Sequence, residues 1–555
     1  MDLAGLGYDW YDSEDYSDPE VYKMLRDGWT SDVFQMAKYS PTKMISDFNV
    51  TDIDGLCAVN AGNRPGPLEK DATTGKSMVD LYAEAIKTGI PQKWDPRIDP
   101  ILSKTMGCIW YQEHCIQIGQ VMAGYSLGSA DIRVRKTLGK KLVKKIPEIR
   151  NEFIYGKESV FDEDGNVVGI ENKDSKYCTG CIDHGFSEEL GNKVFDTMAA
   201  FAKYSFNRSH AFCYAVIGYK TAWLSLYYPV EFAIANCTIN EKEEDIIETL
   251  ASARKRKISI LPPDINRSHI GFSDDNHAIR YGFKAIKGVG ATALSFIKEF
   301  KKAGQVFMSF DDFYNQIHDN NGPIVSQLLA NLRAATGKNS ANPIKKDIEM
   351  ALILSGCFDF SEPNRIKLLN HYLIDIRHEK IGSIIKVLDK EEQIPINEKR
   401  FDRKMKLALE KFYMGTYISE HPLDQFPYID LEQVNDNEQV KIGGIVSNAT
   451  LKKTKKGNEF LNLRIKTKDD IERTVNVFNE QLAKSLAADI KKNQIVVVQG
   501  RYSRQYHNIN AVSVKIQIAR KQLLNQEDLG IQIPMEEAKE IPQVMESPGY
   551  ANIWS

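Results

Sequence analysis

Near residue 438 the spacing of apolar side chains changes from three-and-four to strict alternation, dividing the chain into two kinds of structure. Upstream, Tyr111, Cys115, Ile118 and Met122 fall at i, i+4, i+7 and i+11, one face of a helix. Ser187 before Glu188 and Glu189 is a helix start, with Leu190, Val194, Met198 and Phe201 on its buried side. Downstream, Leu461, Leu463 and Ile465 alternate with Phe460, Asn462, Arg464 and Lys466. Val475 and Val477 repeat the period, and Ile495 to Val498 form an apolar run. About five short strands in roughly 80 residues predict a small barrel, with an OB-fold as the leading form. The expected fold class is therefore multidomain and mostly α, with a C-terminal small β-barrel.

A chain of 555 residues exceeds one core, so roughly two to four domains are expected. Leu261-Pro262-Pro263-Asp264 breaks the helical pattern and opens a new module, mostly helical from 270 to 430. Asp162-Glu163-Asp164-Gly165-Asn166, between apolar residues, reads as the turn of a small hairpin, followed by Cys178-Thr179-Gly180-Cys181. Acidic composition with scattered Ile, Met and Trp554 marks the final stretch as a tail. The net charge of −3 excludes a uniformly basic nucleic-acid coat and leaves local basic grooves open. Eight thinly spread cysteines fit a reducing compartment. The N-terminus lacks a signal-peptide pattern, and no apolar run approaches the roughly 20 residues of a membrane span. A soluble, cytoplasmic protein is expected.

Several clusters could carry chemistry. Arg133, Arg135, Lys136, Lys140 and Lys141 crowd one short stretch, where arginine forks and lysine point charges would meet phosphates. The same run could equally be a solvated helix face. Lys203-Tyr204-Ser205-Phe206-Asn207-Arg208-Ser209-His210 interleaves cation, aromatic, amide and imidazole, a mixture suited to a base with its phosphate or to an ordinary helix junction. Arg64-Pro65-Gly66-Pro67 presents an arginine on a stiff turn. Lys287-Gly288-Val289-Gly290 before a helix suits a helix-hairpin-helix turn, whose amides hold a DNA phosphate without reading sequence. In the predicted barrel, Lys452 and Lys453 with Lys455 and Lys456 lead into a face bearing Phe460, Arg464 and Lys466, a pattern suited to single strands. Cys178, Cys181 and His184 offer three of the four ligands a structural zinc needs, so no metal site is expected there. Asp52 and Asp54 read as capping residues rather than as a two-metal pair.

These motifs, in this order, resemble the family C DNA polymerases, the bacterial polymerase III alpha type. The resemblance rests on Asn63-Arg64-Pro65-Gly66-Pro67, Tyr111-Gln112-Glu113, and Gly124-Tyr125-Ser126-Leu127-Gly128 running into the basic cluster. It continues through Phe206-Asn207-Arg208-Ser209-His210-Ala211, Tyr228-Pro229-Val230-Glu231-Phe232, Gly282 to Gly290, and Gly415 to Leu423. The resemblance implies the end of a palm at 1–18, fingers at 19–260 with an insertion at 154–186, a helix-hairpin-helix domain at 261–430, an OB domain at 431–521 and a tail at 522–555. It also implies template-directed DNA synthesis, with Arg64, Arg133, Arg135, Lys136, Asn207, Arg208 and His210 around the incoming nucleotide. DNA contacts are implied at Lys140, Lys141, Lys203, Lys287, Gly288, Gly290, Lys453, Lys455, Lys456, Phe460 and Arg464. The family's palm aspartates, which bind Mg2+, have no counterpart here, so a separate palm-containing chain is the expected partner. Val134 between Arg133 and Arg135 is one residue more than the family pattern, in which the two arginines adjoin. The alternative function is a non-catalytic DNA-binding accessory protein. A sliding clamp is a further partner the resemblance suggests, with Gln526 to Ile531 as its candidate contact motif.

Overall fold

The computed structural model describes residues 2–13, 15–70, 75–139, 145–202, 206–240, 242–336, 342–379, 403–426, 429, 431, 434–454, 457–468, 471–503 and 508–516. Backbone contacts divide the chain into two compact units. One holds residues 1–425 with 430–433 and 468–471; the other holds 426–429, 434–467 and 472–555.

The larger unit is helical. Its first part carries α1 (Pro19–Arg26), α2 (Tyr39–Asp47), α3 (Ile53–Gly62), α4 (Met78–Thr88) and α5 (Gln112–Ala123). Then come α6 (Ile146–Tyr155), α7 (Glu188–Ala202), α8 (Arg208–Tyr227), α9 (Pro229–Ile239) and α10 (Glu243–Lys255). The later part carries α11 (Ala291–Lys302), α12 (Phe310–His318), α13 (Pro323–Thr336), α14 (Lys346–Ser355) and α15 (Arg403–Met414). The predicted face of α5 is in place: Cys115, Ile118 and Met122 are buried, and Tyr111 precedes the helix. Ser187 opens α7 by accepting a hydrogen bond from the Leu190 amide, and Val194 and Met198 are buried. The hairpin is also present, as β1 (Lys157–Phe161) and β2 (Val167–Asp174) pair antiparallel around the Asp162–Asn166 turn.

Three apolar clusters organise this unit. The first joins α1 to α4 with Ala211, Ala215, Tyr219 and Ala222 of α8, around the fully buried Trp110. Small residues on that stripe let α8 lie close against α3. The second gathers α5, α6 and α7 with Ala130 and Val134. The third runs from Val230 to Ile418 and includes Val289 and the buried face of α11.

Residues Ala130–Lys136 form a π-helix rather than a continued α-helix. A π-turn bonds i to i+5 and so accommodates one more residue per turn than the α-helix. Ala130 and Val134 both stay buried, while the cations on either side of Val134 leave in different directions.

The smaller unit is a closed barrel of five strands: β3 (Gln439–Lys453), β4 (Glu459–Lys466), β5 (Glu472–Val477), β6 (Ile495–Ser503) and β7 (Asn508–Ile516). Helix α16 (Glu480–Asp489) links β5 to β6. β3, β4 and β5 form a meander, β6 returns to pair with β3, and β7 closes the barrel between β6 and β5, parallel to β5. That topology is the five-stranded Greek-key barrel of the OB-fold. Its interior is filled by Leu461, Leu463, Ile465, Val475, Val477, Val496 and Val498, which lie in the apolar segments read from the sequence, and by Ile509 of β7, which was not among them.

Candidate nucleotide and nucleic-acid interface

The N-termini of α5 and α8 meet. Tyr111 and Phe206 form a parallel bridge, and the Gln112 amide donates to the Phe206 carbonyl at 3.0 Å. Asn207 caps α8, its side-chain oxygen accepting from the His210 amide at 3.0 Å. The Arg208 amide donates to both Glu113 carboxylate oxygens at 3.1 Å, so an internal anion occupies the positive end of α8. The Arg208 guanidinium donates to Asp54 at 2.8 Å, and Lys104 reaches the other oxygen of that carboxylate at 2.7 Å. Partial burial opposes the Asp54 charge, but Lys104 and Arg208 outweigh it and hold its pKa below the usual carboxylate value.

Asp52 is a cap, as its spacing suggests: its side chain accepts from the Gly55 amide at 2.8 Å. Asp54 is instead a bridge between two cations. Neither fits a divalent metal, because one carboxylate serves a helix end and the other is already neutralised. Among the described residues no group of three or more His, Cys, Asp or Glu side chains could hold a metal ion. Cys178 and Cys181 are buried, the Cys178 thiol donating to the Glu152 carbonyl and His184 lying 2.9 Å from the Thr179 hydroxyl.

Arg64 sits just before the proline that starts a short helix at Pro65–Leu68, and its guanidinium lies 3.6 Å from the centre of the Phe206 ring. Among the described residues no carboxylate pairs with Arg64, and burial lowers its pKa. From Phe206 an aromatic series runs along one face of α8. The Phe206 and His210 rings are 5.0 Å apart, His210 and Tyr214 are 4.4 Å apart, and Phe34 follows at 5.5 Å. Residues four apart on a helix face one way, so one side of α8 offers rings ending under a guanidinium.

The π-turn distributes its cations unequally. Arg135 bonds Gln112 at 3.1 Å and pairs with Asp131, while Lys136 reaches the same aspartate at 3.1 Å. Arg135 therefore lies beside the α5 and α8 ends. Arg133 turns toward α6, paired with Glu148 at 2.6 Å and held by both oxygens of the buried Glu152, with its plane over Tyr177. Burial works against its charge, but the two carboxylates outweigh that and hold the guanidinium above its ordinary pKa. Arg64, Arg135, Asn207, Arg208 and His210 thus gather in one place, and Arg133 serves a different contact. Lys140, Lys141 and Lys203 lie outside the described residues.

In the second helical region Gly288 has φ +93°, a left-handed conformation that suits glycine and makes the hairpin turn possible. Gly290 sits at the N-cap of α11 with open space around it, and the Lys287 ammonium lies over the Phe412 ring at 4.2 Å. On the barrel, cross-strand register sets Lys452 opposite Phe460, Thr450 opposite Asn462, and Asn448 opposite Arg464. Asn462 in turn faces Asn476 and donates to it at 2.9 Å. Phe460 packs on Phe478 at 5.1 Å, and Phe478 is the more exposed of the two rings. Lys453 and Arg464 are exposed, and Arg464 pairs with Glu472. Lys455 and Lys456 lie outside the described residues.

Asp54, Glu113, Phe34, Tyr214 and Phe478 were not expected at these sites. Of these, only the i, i+4, i+8 spacing of Phe206, His210 and Tyr214 is visible in the sequence.

Residues 9–159 match the model of the bacterial DNA polymerase III alpha subunit finger domain, and residues 257–335 match a helix-hairpin-helix motif. The DNA polymerase III subunit alpha of Aquifex aeolicus is 29% identical over 499 residues, 87% of this chain and 37% of that protein. The chain is similar over most of its length to DNA polymerase III alpha subunits. The Deinococcus radiodurans subunit is 32% identical over 75% of this chain, and the Pseudomonas aeruginosa subunit 27% identical over 88%. The chain spans between 29% and 41% of the length of these relatives. Among solved structures, a mitochondrial single-stranded DNA-binding protein from S. cerevisiae aligns with 15% of this chain and 97% of its own, at 19% identity and a TM-score of 0.14. Among the described residues no helix is long and apolar enough to cross a membrane.

Proposed function

We propose that this chain is the nucleotide- and DNA-gripping portion of a replicative DNA polymerase. The palm, with its metal-binding aspartates, lies outside these 555 residues, on another segment or another chain. Similarity to polymerase III alpha subunits over most of the chain supports the polymerase reading. The observation that carries the nucleotide site is Arg64: a partly buried guanidinium over an aromatic ring, with no counter-charge among the described residues. A desolvated cation left unpaired favours an incoming anion more than a solvated one does. The triphosphate of the incoming deoxynucleotide is that anion, with Arg135, Lys136 and Arg208 near it. The ring series from Phe206 to Phe34 offers a surface for the base.

As the bond to the leaving pyrophosphate breaks, negative charge grows on the phosphates. Cations fixed there stabilise the transition state more than the bound substrate. Magnesium ions belong to the palm in this account, and the Asp52 and Asp54 carboxylates are committed elsewhere. The helix-hairpin-helix turn holds a DNA phosphate through the amides after Gly288, and the barrel face around Phe460 tracks single-stranded template.

Binding of a deoxynucleoside triphosphate to the chain with primer-template tests this site. Arg64→Gln should weaken it by at least about tenfold, since a hydrogen bond to a charged group contributes about 1.5–3 kcal/mol. Unchanged binding would remove Arg64 from the site.

A further inference from the structure

The Asp54 carboxylate holds a cation on each oxygen, and of the two only Arg208 belongs to a cluster visible in the sequence. Arg208 Nη2 stands 2.8 Å from Oδ1, and Lys104 Nζ stands 2.7 Å from Oδ2. Lys104 lies on a short 3-10 turn, Ser103–Thr105, ahead of α5. That turn is pinned on both sides. Leu102 and Thr105 are buried, the Thr105 hydroxyl donates to the Cys108 carbonyl at 2.7 Å, and the Gly107 amide donates to the Leu102 carbonyl at 3.0 Å. Gly107 has φ +80° and lies so close to the Gln92 backbone that no side chain would fit. Lys104 therefore projects from a fixed turn, its side chain 67% exposed. The same segment runs on into Tyr111, which bridges to Phe206, the ring under Arg64.

Two cations share one carboxylate, so their charge is offset only in part. The surplus favours an anion with several charged oxygens. A guanidinium fork beside an ammonium point charge suits a polyphosphate, which takes paired contacts from the arginine and a single one from the lysine. The first amides of α8 are closed to phosphate, because the Arg208 amide is committed to Glu113 and the His210 amide to Asn207. Side chains are left to hold phosphates at this end of the helix.

We propose that Lys104 is a phosphate-binding residue of the nucleotide site, and that Asp54 is its built-in counter-ion, holding Lys104 beside Arg208 and offsetting the charge of both. The proposal rests on the nucleotide-site reading above and adds to it one cation and one restraint on ground-state affinity.

The test is equilibrium binding of a deoxynucleoside triphosphate to the full chain with primer-template, with Arg64→Gln in parallel. Lys104→Gln should weaken binding about threefold to tenfold, the contribution of a charged hydrogen bond reduced for an exposed side chain. Lys104→Arg should keep most of the affinity. Asp54→Asn preserves shape while removing a charge that repels the triphosphate, and should tighten binding about threefold to fivefold. A merely structural Asp54 would give the opposite sign. Melting curves report folding, and the exposed Lys104 variants carry the test if Asp54→Asn does not fold. If Arg64→Gln weakens binding while the Lys104 and Asp54 variants match the wild type, the contact is a surface ion pair; this inference then falls and the nucleotide-site reading stands. Weaker binding by folded Asp54→Asn would overturn the counter-ion role. A Lys104→Gln defect in primer-template affinity without nucleotide, with triphosphate binding intact, would overturn the triphosphate as occupant. A wild type that binds no triphosphate would overturn the nucleotide-site reading and this inference with it.

Discussion

Removing the Arg133 guanidinium would leave Glu152, 3% exposed, without its counter-charge. Breaking a buried pair from one side costs about 3–5 kcal/mol, so Arg133→Ala should lower the melting temperature markedly. Arg135 pairs with a more exposed aspartate, and its loss should leave stability nearly unchanged. In an assembled polymerase Arg135→Ala should instead slow nucleotide incorporation about a hundredfold, on the order of 3 kcal/mol. Melting curves and single-nucleotide incorporation on both variants check the division; a severe incorporation defect confined to Arg133→Ala would reverse it. His114 gives a pH-dependent prediction. Burial, with the Arg208 charge adding, lowers its pKa to about 4, and its Nδ1 accepts from the Trp110 amide at 3.0 Å. Between pH 6.5 and 4 the unfolded chain binds a proton there that the folded chain does not. Stability therefore rises with pH in that window and is lost as pH falls through it, by up to about 3 kcal/mol. His114→Gln should flatten this part of the melting-temperature profile; an identical profile would show that His114 does not supply the slope.

At the scale of elements, the barrel gives the clearest prediction. Phe478 is the outer of two packed rings, so Phe478→Ala should weaken single-strand binding by about 1–3 kcal/mol. Phe460→Ala should weaken it as well, because it removes the support of that ring, and equal binding by both variants and the wild type would show that no base stacks there. Period-two alternation made this barrel legible down to its interior residues, because a one-residue slip would turn every apolar side chain to solvent. The helices of the larger unit were legible for the same reason, through faces such as Cys115, Ile118 and Met122. The π-turn was not. Its signal is a single residue, Val134, and only the paths of the flanking arginines reveal how the helix absorbs it. The Asp54 and Glu113 contacts join residues 154 and 95 positions apart from Arg208, a separation that no local pattern encodes.

At the scale of the molecule, the proposed reading assigns nucleotide grip, hairpin and barrel to DNA handling and leaves phosphoryl transfer to a palm. The candidate clamp motif at Gln526 to Ile531 lies outside the described residues. The accessory-protein alternative shares every DNA contact with this account but has no use for an unpaired Arg64 beside Phe206. Primer extension separates them and is the most direct test. The 555-residue chain is assayed alone, then with a palm-bearing polypeptide from the same source, with Arg64→Gln in parallel. The account predicts no extension by the chain alone, extension by the combination, and a combination at least about tenfold slower with Arg64→Gln. Extension by the chain alone would contradict the assignment of catalysis to a palm elsewhere, and a combination indifferent to Arg64→Gln would contradict the nucleotide site.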